Sequence, residues 1–556
     1  MDTDTEAAAD LDIAADAAET VAEAATDLLP LDMLAAVTDL VDPAVVAREA
    51  PWLAGELTKI ALGLSDISFD ERDQRFADPA WRTNPYFRVV GQAYRLFEMW
   101  MDRMQSSVDG SWQTQARARF AGDVITAALS PTNYLGTNPA ALRKAVETGG
   151  MSLVRGAQNM LRDLAGGGMP ATVDRGQFVV GRSLACTPGA VVYREEMFEL
   201  LQYTPTAPRI HAIPLLMIPP QINRHYILDL SPGRSLAEFA VSQGINVFMI
   251  VWRNPDSGLG HGTWGLDDYL AAEERANEVV KKIARSDKVN LLGLCAGGIT
   301  LAYVLAHYAA IGHDSAGAAT FVVTMLTGEK ANVVGMLDTH EARAALERGA
   351  AARQIIPGTT LRSLFAMLRP NDLVYNYLVS GWLMGEAPAA FDVLSWNDDA
   401  TRTTARFALE STKLAMDGWD GEGPVLLGVP TDFSKVSCDS YHVGGYTDHI
   451  TAWRACYDTA HLIGGSDRQM TLIRSGHIQS VVYPPESTRY DRWHGPATPT
   501  DPDEWLSTAA VEKGSWWRPW IEWLIAHSGP ERQAPATLGN RQYPPTSPAP
   551  GTYVYQ

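Results

Sequence analysis

A chain of 556 residues, 46% hydrophobic and 20% charged, can bury one large core and still supply a second domain. Its 45 Lys and Arg stand against 65 Asp and Glu, and the net charge of −20 argues against non-specific binding to a phosphate backbone, so no nucleic-acid partner is expected. The four cysteines, Cys186, Cys295, Cys438 and Cys456, show no paired spacing for a disulfide framework or a zinc site, which points to a reducing compartment and no metal.

Residues 1–40 are acidic and Ala-rich and read as a disordered or loosely helical segment. Their opening, Met1-Asp2-Thr3-Asp4-Thr5-Glu6, lacks the basic and apolar regions of a signal peptide. No apolar run in the chain reaches the ~20 residues of a membrane span. A cytoplasmic protein without a transmembrane segment is the expectation. Residues 41–170 read as a helical N-terminal domain, in which Tyr86, Val90, Tyr94, Phe97, Met101 and Met104 form one apolar stripe behind Pro85.

From 171 to 530 the pattern is that of a catalytic α/β domain. Ile213–Ile218, Ile245–Val251 and Val289–Gly293 are apolar enough for strands buried on both faces, which implies a parallel sheet with crossover helices. Residues 328–424 interrupt the alternation with helical, Trp- and Met-bearing sequence and read as a cap. The sheet is expected to resume at Val425-Leu426-Leu427-Gly428-Val429, and residues 531–556, with five prolines, read as a loose Pro-rich tail.

The chemistry concentrates at Leu291-Leu292-Gly293-Leu294-Cys295-Ala296-Gly297-Gly298, a strand running through Gly-x-Cys-x-Gly into a helix. This reads as a nucleophile elbow with cysteine in place of serine. Cys295 would stand above the sheet, with the backbone N–H of Ala296 at the helix start available to an oxyanion. In α/β hydrolases the nucleophile is followed in sequence by an acid and then a histidine, each on a loop after a later strand. Asp448 follows the β-prone run at Ser440, and His477 follows Met470–Ile473 within Ser475-Gly476-His477. His449, beside Asp448, could reach the pocket. Asp432 and Asp439 are rival acids, but they fall before or within the strand that carries Asp448. Gly260–Gly265 matches Gly-x-Gly-x-x-Gly without directly following its strand, so dinucleotide binding is discounted.

Further blocks accompany the elbow: SPTNYLGTNP from Ser130, ETGG from Glu147, LACTPGAVV from Leu184, QYTP from Gln202, IPPQINRHY from Ile218, WRNP from Trp252, RPNDLV from Arg369 and WNDDAT from Trp396. In this order, and with Asp448-His449-Ile450 and Ser475-Gly476-His477-Ile478, they resemble the polyhydroxyalkanoate synthases, poly-3-hydroxyalkanoate polymerases of the α/β-hydrolase superfamily, over about residues 70–528. The chain departs from that pattern at Ala452, where the family usually has proline, and in Phe321–Glu329, which lacks the Leu-Asp-Phe usually seen after the post-nucleophile strand.

The resemblance implies an α/β-hydrolase fold with a helical cap insertion and a helical N-terminal domain. It also implies an acyltransferase that polymerises (R)-3-hydroxyacyl-CoA into polyester and releases CoA through an acyl-cysteine. Cys295, Asp448 and His477 would be catalytic, and the backbone near Ile222 or Asn223, in the loop after the third strand, would supply a second oxyanion donor. No cofactor is required, since coenzyme A enters as the thioester substrate. The expected partners are that substrate, the growing polyester and the granule surface, and the resemblance allows a homodimer. The alternatives are a thioesterase or depolymerase of the same fold, in which water attacks the acyl-enzyme, and a noncatalytic granule-associated protein.

Overall fold

The structure is a computed structural model that describes residues 42–166, 168–174, 176–326, 333–416 and 424–556. The acidic segment 1–40 and the two ends of the expected cap therefore lie outside the described residues. The chain divides into two compact units, one holding residues up to Asp174 together with Thr359–Phe391, the other Arg175–Gly358 together with Asp392–Gln556.

The described residues of the first unit include the helices α1 (Pro43–Ala61), α2 (Pro85–Ser106), α3 (Trp112–Ala128), α4 (Pro139–Glu147) and α5 (Met151–Ala165). Three of them start in the same way. Asp42, Asn84 and Asn138 each cap a helix whose first residue is proline, because a side-chain acceptor satisfies a free N–H while proline lacks one. Of the α2 stripe, Tyr94, Met101 and Met104 are buried and Tyr86 is exposed. Part of the expected cap belongs to this unit. Trp382 donates from Nε1 to Asp163 on α5 at 2.7 Å, Asn159 donates to the Gly381 carbonyl at 3.0 Å, and a Cβ on Gly156 would lie 1.9 Å from the Trp382 carbonyl oxygen.

The second unit is built on one eleven-stranded sheet. In chain order its strands are β1 (Gly189–Arg194), β2 (Phe198–Tyr203), β3 (Leu215–Ile218), β4 (Val247–Trp252), β5 (Val289–Leu294), β6 (Ala316–Val322), β7 (Asp439–Gly445), β8 (Arg468–Ile473), β9 (Asp491–Pro496), β10 (Ala510–Lys513) and β11 (Ser547–Pro548). They lie in the order β10-β9-β8-β7-β6-β5-β3-β4-β2-β1-β11. The run from β8 to β4 is parallel, and the flanking pairs are antiparallel. Both faces are covered: Val247, Met249 and Val251 of β4 enter one core, and Phe248, Ile250 and Trp252 enter the other. This two-sided burial is why β3 and β4 read as unbroken apolar runs. Helices α6 (Leu266–Ala284) and α7 (Ala296–Ile311) precede and follow β5, and α8 (His477–Val481) and α9 (Trp517–Ala526) lie near the C-terminus.

Two expectations are corrected here. Val425–Val429 is not a sheet strand but a separate hairpin, Val425–Leu426 paired with Val429–Pro430, because Leu427 and Gly428 both take positive φ and close a two-residue turn. The sheet resumes instead at β7. Residues 531–556 are not a loose tail. Glu531–Gln533 pairs with Arg209–His211, β11 pairs with β1, and Tyr553 and Val554 are buried. The reason is a buried acid on β2. Glu199 accepts from the backbone N–H of Thr552 at 2.7 Å and of Tyr553 at 3.0 Å, and from the Thr552 hydroxyl at 2.7 Å. A proline-rich segment with few core-forming side chains is ordered here because its backbone donors, together with the Arg194 guanidinium at 2.7 Å, satisfy a carboxylate buried on β2.

Candidate active site

Cys295 sits between β5 and α7 with φ 50° and ψ −117°, a conformation that L side chains rarely adopt. The glycines around it permit close approach of backbone segments. A Cβ on Gly293 would fall 2.5 Å from the Gly298 Cα, and one on Gly297 would fall 2.4 Å from the Ile218 carbonyl oxygen at the end of β3. The Cys295 N–H donates to the Val322 carbonyl at 2.9 Å, extending the β5–β6 ladder by one bond before the chain turns. The Cys295 carbonyl then accepts from Gly298 and Ile299, the first bonds of α7. The Ala296 N–H lies at that helix start, where free donors and the helix dipole favour negative charge.

The acid and the histidine arrive from the turns after β7 and β8, parallel neighbours in the sheet. Tyr446 N–H donates to the Ile473 carbonyl at 2.7 Å and Thr447 N–H to that of Ser475 at 3.1 Å, so the two turns are bonded to each other. Asp448 and His477 therefore meet: the His477 Nδ1 lies 2.6 Å from Asp448 Oδ2. The Asp448 side chain is fully enclosed, its Oδ1 accepting from Ile450 N–H at 2.8 Å and Thr451 N–H at 3.0 Å, and its Oδ2 from the Thr451 hydroxyl at 2.7 Å. Behind α8, which begins at His477, Trp516 donates from Nε1 to the Ser480 carbonyl at 2.7 Å.

Charge within the pair is one-sided. Burial opposes the His477 imidazolium, but the Asp448 charge, its hydrogen bond and the bond with the Cys295 thiol outweigh burial and push the ring up to about 10. Burial likewise opposes the Asp448 carboxylate, yet the charge of His477 and the bonds from His477 and Thr451 hold its carboxyl below the usual value. With Nδ1 on Asp448, Nε2 is the ring nitrogen left for the thiol. The arrangement can draw a proton from Cys295 and hold the resulting thiolate beside a cation.

The family model described as Poly-beta-hydroxybutyrate polymerase (PhaC) N-terminus matches residues 72–240, and the one described as alpha/beta hydrolase fold matches residues 228–482. Poly(3-hydroxyalkanoate) polymerase 1 of Ectopseudomonas oleovorans is 38% identical, covering 92% of this chain and 91% of its own. Poly(3-hydroxyalkanoate) polymerase 2 of the same organism is 40% identical, over 92% and 91%. The corresponding polymerase subunit of Cupriavidus necator is 39% identical, over 89% and 85%. The chain belongs to the poly(3-hydroxyalkanoate) polymerase family. It is an enzyme with the α/β-hydrolase fold, and among its described residues no helix is long and apolar enough to cross a membrane.

Within this polymerase-family chain the remaining candidates separate. Ile222 and Asn223 follow β3, the strand beside β5, and are half-buried. His449 is exposed on the turn next to Asp448. Asp432 caps its own turn through Ser434, and Asp439, which accepts from Asp467 N–H at 3.0 Å, opens β7 at the end opposite the site. Cys456 is buried, and burial pushes its thiol up. Thr451 escaped the sequence reading. The available signal was its place three residues after Asp448, the spacing at which a side-chain hydroxyl and a backbone N–H both reach back to one carboxylate.

Proposed function

We propose that this chain polymerises (R)-3-hydroxyacyl-CoA into polyester with release of CoA, through a covalent acyl-Cys295. The observation that carries the reading is Cys295 on a strained elbow together with His477, whose Nδ1 lies 2.6 Å from a fully enclosed Asp448 and whose Nε2 is left for the thiol. His477 takes the thiol proton, and the Cys295 thiolate attacks the thioester carbonyl. The oxyanion is met by the N–H of Ala296 and by a backbone donor at Ile222 or Asn223, and the intermediate collapses with CoA thiolate leaving and the His477 proton going to it. One thioester replaces another, so the acyl group stays activated. The 3-hydroxyl of a second unit, or of the growing chain end, then gives its proton to His477 and attacks the acyl-cysteine, forming an ester and freeing the thiol. The full enclosure of the Asp448 side chain and the donors on its oxygens support His477 over Asp448 as the group that meets that hydroxyl. Asp448 orients the ring and stabilises its charge.

The product chain and the granule surface it forms belong to the same reading as partners in the cytoplasm, as does a homodimer. The test is CoA release from short- and medium-chain 3-hydroxyacyl-CoA by wild type and Cys295→Ala, with the product analysed as polymer or free acid. Polymer from wild type, and no CoA release from a folded Cys295→Ala, is the expected result. Free hydroxy acid as the sole product would assign a thioesterase, and more than a few per cent of wild-type turnover in Cys295→Ala would remove Cys295 as the nucleophile.

A further inference from the structure

Behind the elbow lies a buried polar trio outside the triad. Glu273, in the middle of α6, is 1% exposed in the core on one face of the sheet. Its Oε1 accepts from the Thr300 hydroxyl at 2.5 Å and from Gln221 Nε2 at 3.3 Å, and Gln221 Nε2 lies 3.0 Å from the Thr300 hydroxyl oxygen. Each partner leads to a segment of the site. Thr300 is in the second turn of α7, with its hydroxyl oxygen 3.2 Å from the Gly297 carbonyl and 3.4 Å from that of Ala296. Gln221 directly precedes Ile222 and Asn223, in a loop that is also held by Trp252 donating to the Pro219 carbonyl at 2.9 Å.

A buried carboxyl is an unlikely choice for packing alone, since well-fitted apolar groups in the same place are often neutral or better for stability. Gln221 also lines a small cavity with Asn223, His225, Trp252 and Val554. We propose that Glu273 is a positioning residue for acyl transfer, setting the distance between the two backbone segments, Ala296 and Ile222–Asn223, that hold the oxyanion. Burial pushes its carboxyl well above the usual range despite the bonds from Thr300 and Gln221, so it serves as a neutral hydrogen-bonding group. That makes glutamine its closest mimic. The proposal rests on Cys295 being the nucleophile, and Cys295→Ala, run alongside, reports on that reading alone.

The test compares Glu273→Leu with Glu273→Gln in CoA release and in alkylation of Cys295 by iodoacetamide, followed on the Cys295 peptide by mass spectrometry. Alkylation needs the thiolate but no oxyanion hole, so it separates this role from support of the nucleophile. Glu273→Leu is expected to lower kcat about tenfold or more with KM within about twofold, because donors misplaced by a fraction of an ångström lose much of their transition-state stabilisation. Its Cys295 alkylation rate stays within about twofold of wild type, and Glu273→Gln recovers kcat to within about threefold. Wild-type kcat in Glu273→Leu, alkylation falling in step with kcat, or Glu273→Gln as impaired as Glu273→Leu would each overturn the proposal. If Glu273→Leu does not fold, Gln221→Met makes the same break from the loop side, with the same loss of kcat expected and unchanged kcat again contradicting the idea.

Discussion

Replacing Thr451 with valine removes one hydroxyl and little volume, and that hydroxyl is in a demanding place. It donates to Asp448 Oδ2 at 2.7 Å and lies 3.3 Å from His477 Nδ1, all three groups being buried. A hydrogen bond to a buried charged group is worth about 2 kcal/mol. Carried whole into the transition state, about 2 kcal/mol lowers kcat about 30-fold, which is the ceiling. The floor is about threefold, since two backbone N–H groups and His477 still hold the carboxylate. The pH behaviour follows by sign. Asp448 has a folded pKa below its unfolded value, so it contributes stability that is present above about pH 4 and lost as pH falls through the folded pKa. Without the Thr451 donor the folded value rises, and acid unfolding of Thr451→Val should begin at higher pH than in wild type. CoA release gives kcat, and acid titration followed by tryptophan fluorescence gives the unfolding. A Thr451→Val enzyme with wild-type kcat and an unmoved acid limb would show that the hydroxyl only fills space.

The His477 ring, read by 15N chemical shift in histidine-labelled protein, should stay protonated to about pH 10, while Asp448→Asn should bring its midpoint down by several units. The stability tied to it is full below about pH 6.5 and is lost as pH rises through about 10, and a wild-type midpoint near 6.5 would contradict the pairing. Gly297→Ala places a methyl 2.4 Å from the Ile218 carbonyl oxygen and should cost about 1–3 kcal/mol in denaturant unfolding while depressing CoA release. An active, fully stable Gly297→Ala would mean that the β3 end yields freely. Glu199→Leu removes the acceptor for Thr552 and Tyr553, so limited proteolysis should cut within residues 534–556 far faster than in wild type. Equal protection would assign the order of that segment to β11 and the burial of Tyr553 alone.

Local chemistry was enough to pick out the elbow, while Asp448 and His477 were chosen as candidates by their order along the chain after it. A nucleophile that must stand clear of a sheet needs glycines where the chain doubles back, and that requirement is written in neighbouring residues at 293, 297 and 298. Strands buried on both faces favour apolar residues along their length, so β3, β4 and most of β5 could be read without a partner. The Asp448–His477 bond was legible only as order along the chain, and the parallel pairing of β7 with β8 turned that order into 2.6 Å. What remained hidden was whatever depended on a distant acceptor or on backbone conformation. Val425–Val429 has strand composition, and positive φ at Leu427 and Gly428 makes it a separate hairpin. The last 26 residues look structureless by composition, since five prolines and few core-forming groups build no core of their own. They are ordered by Glu199, a residue more than 300 positions earlier whose buried charge has to find donors. Thr451 and Glu273 were missed for the same reason. Glu273 carries no mark of its surroundings in the helical sequence around it, and the spacing of Thr451 from Asp448 gains meaning only when folding buries that carboxylate.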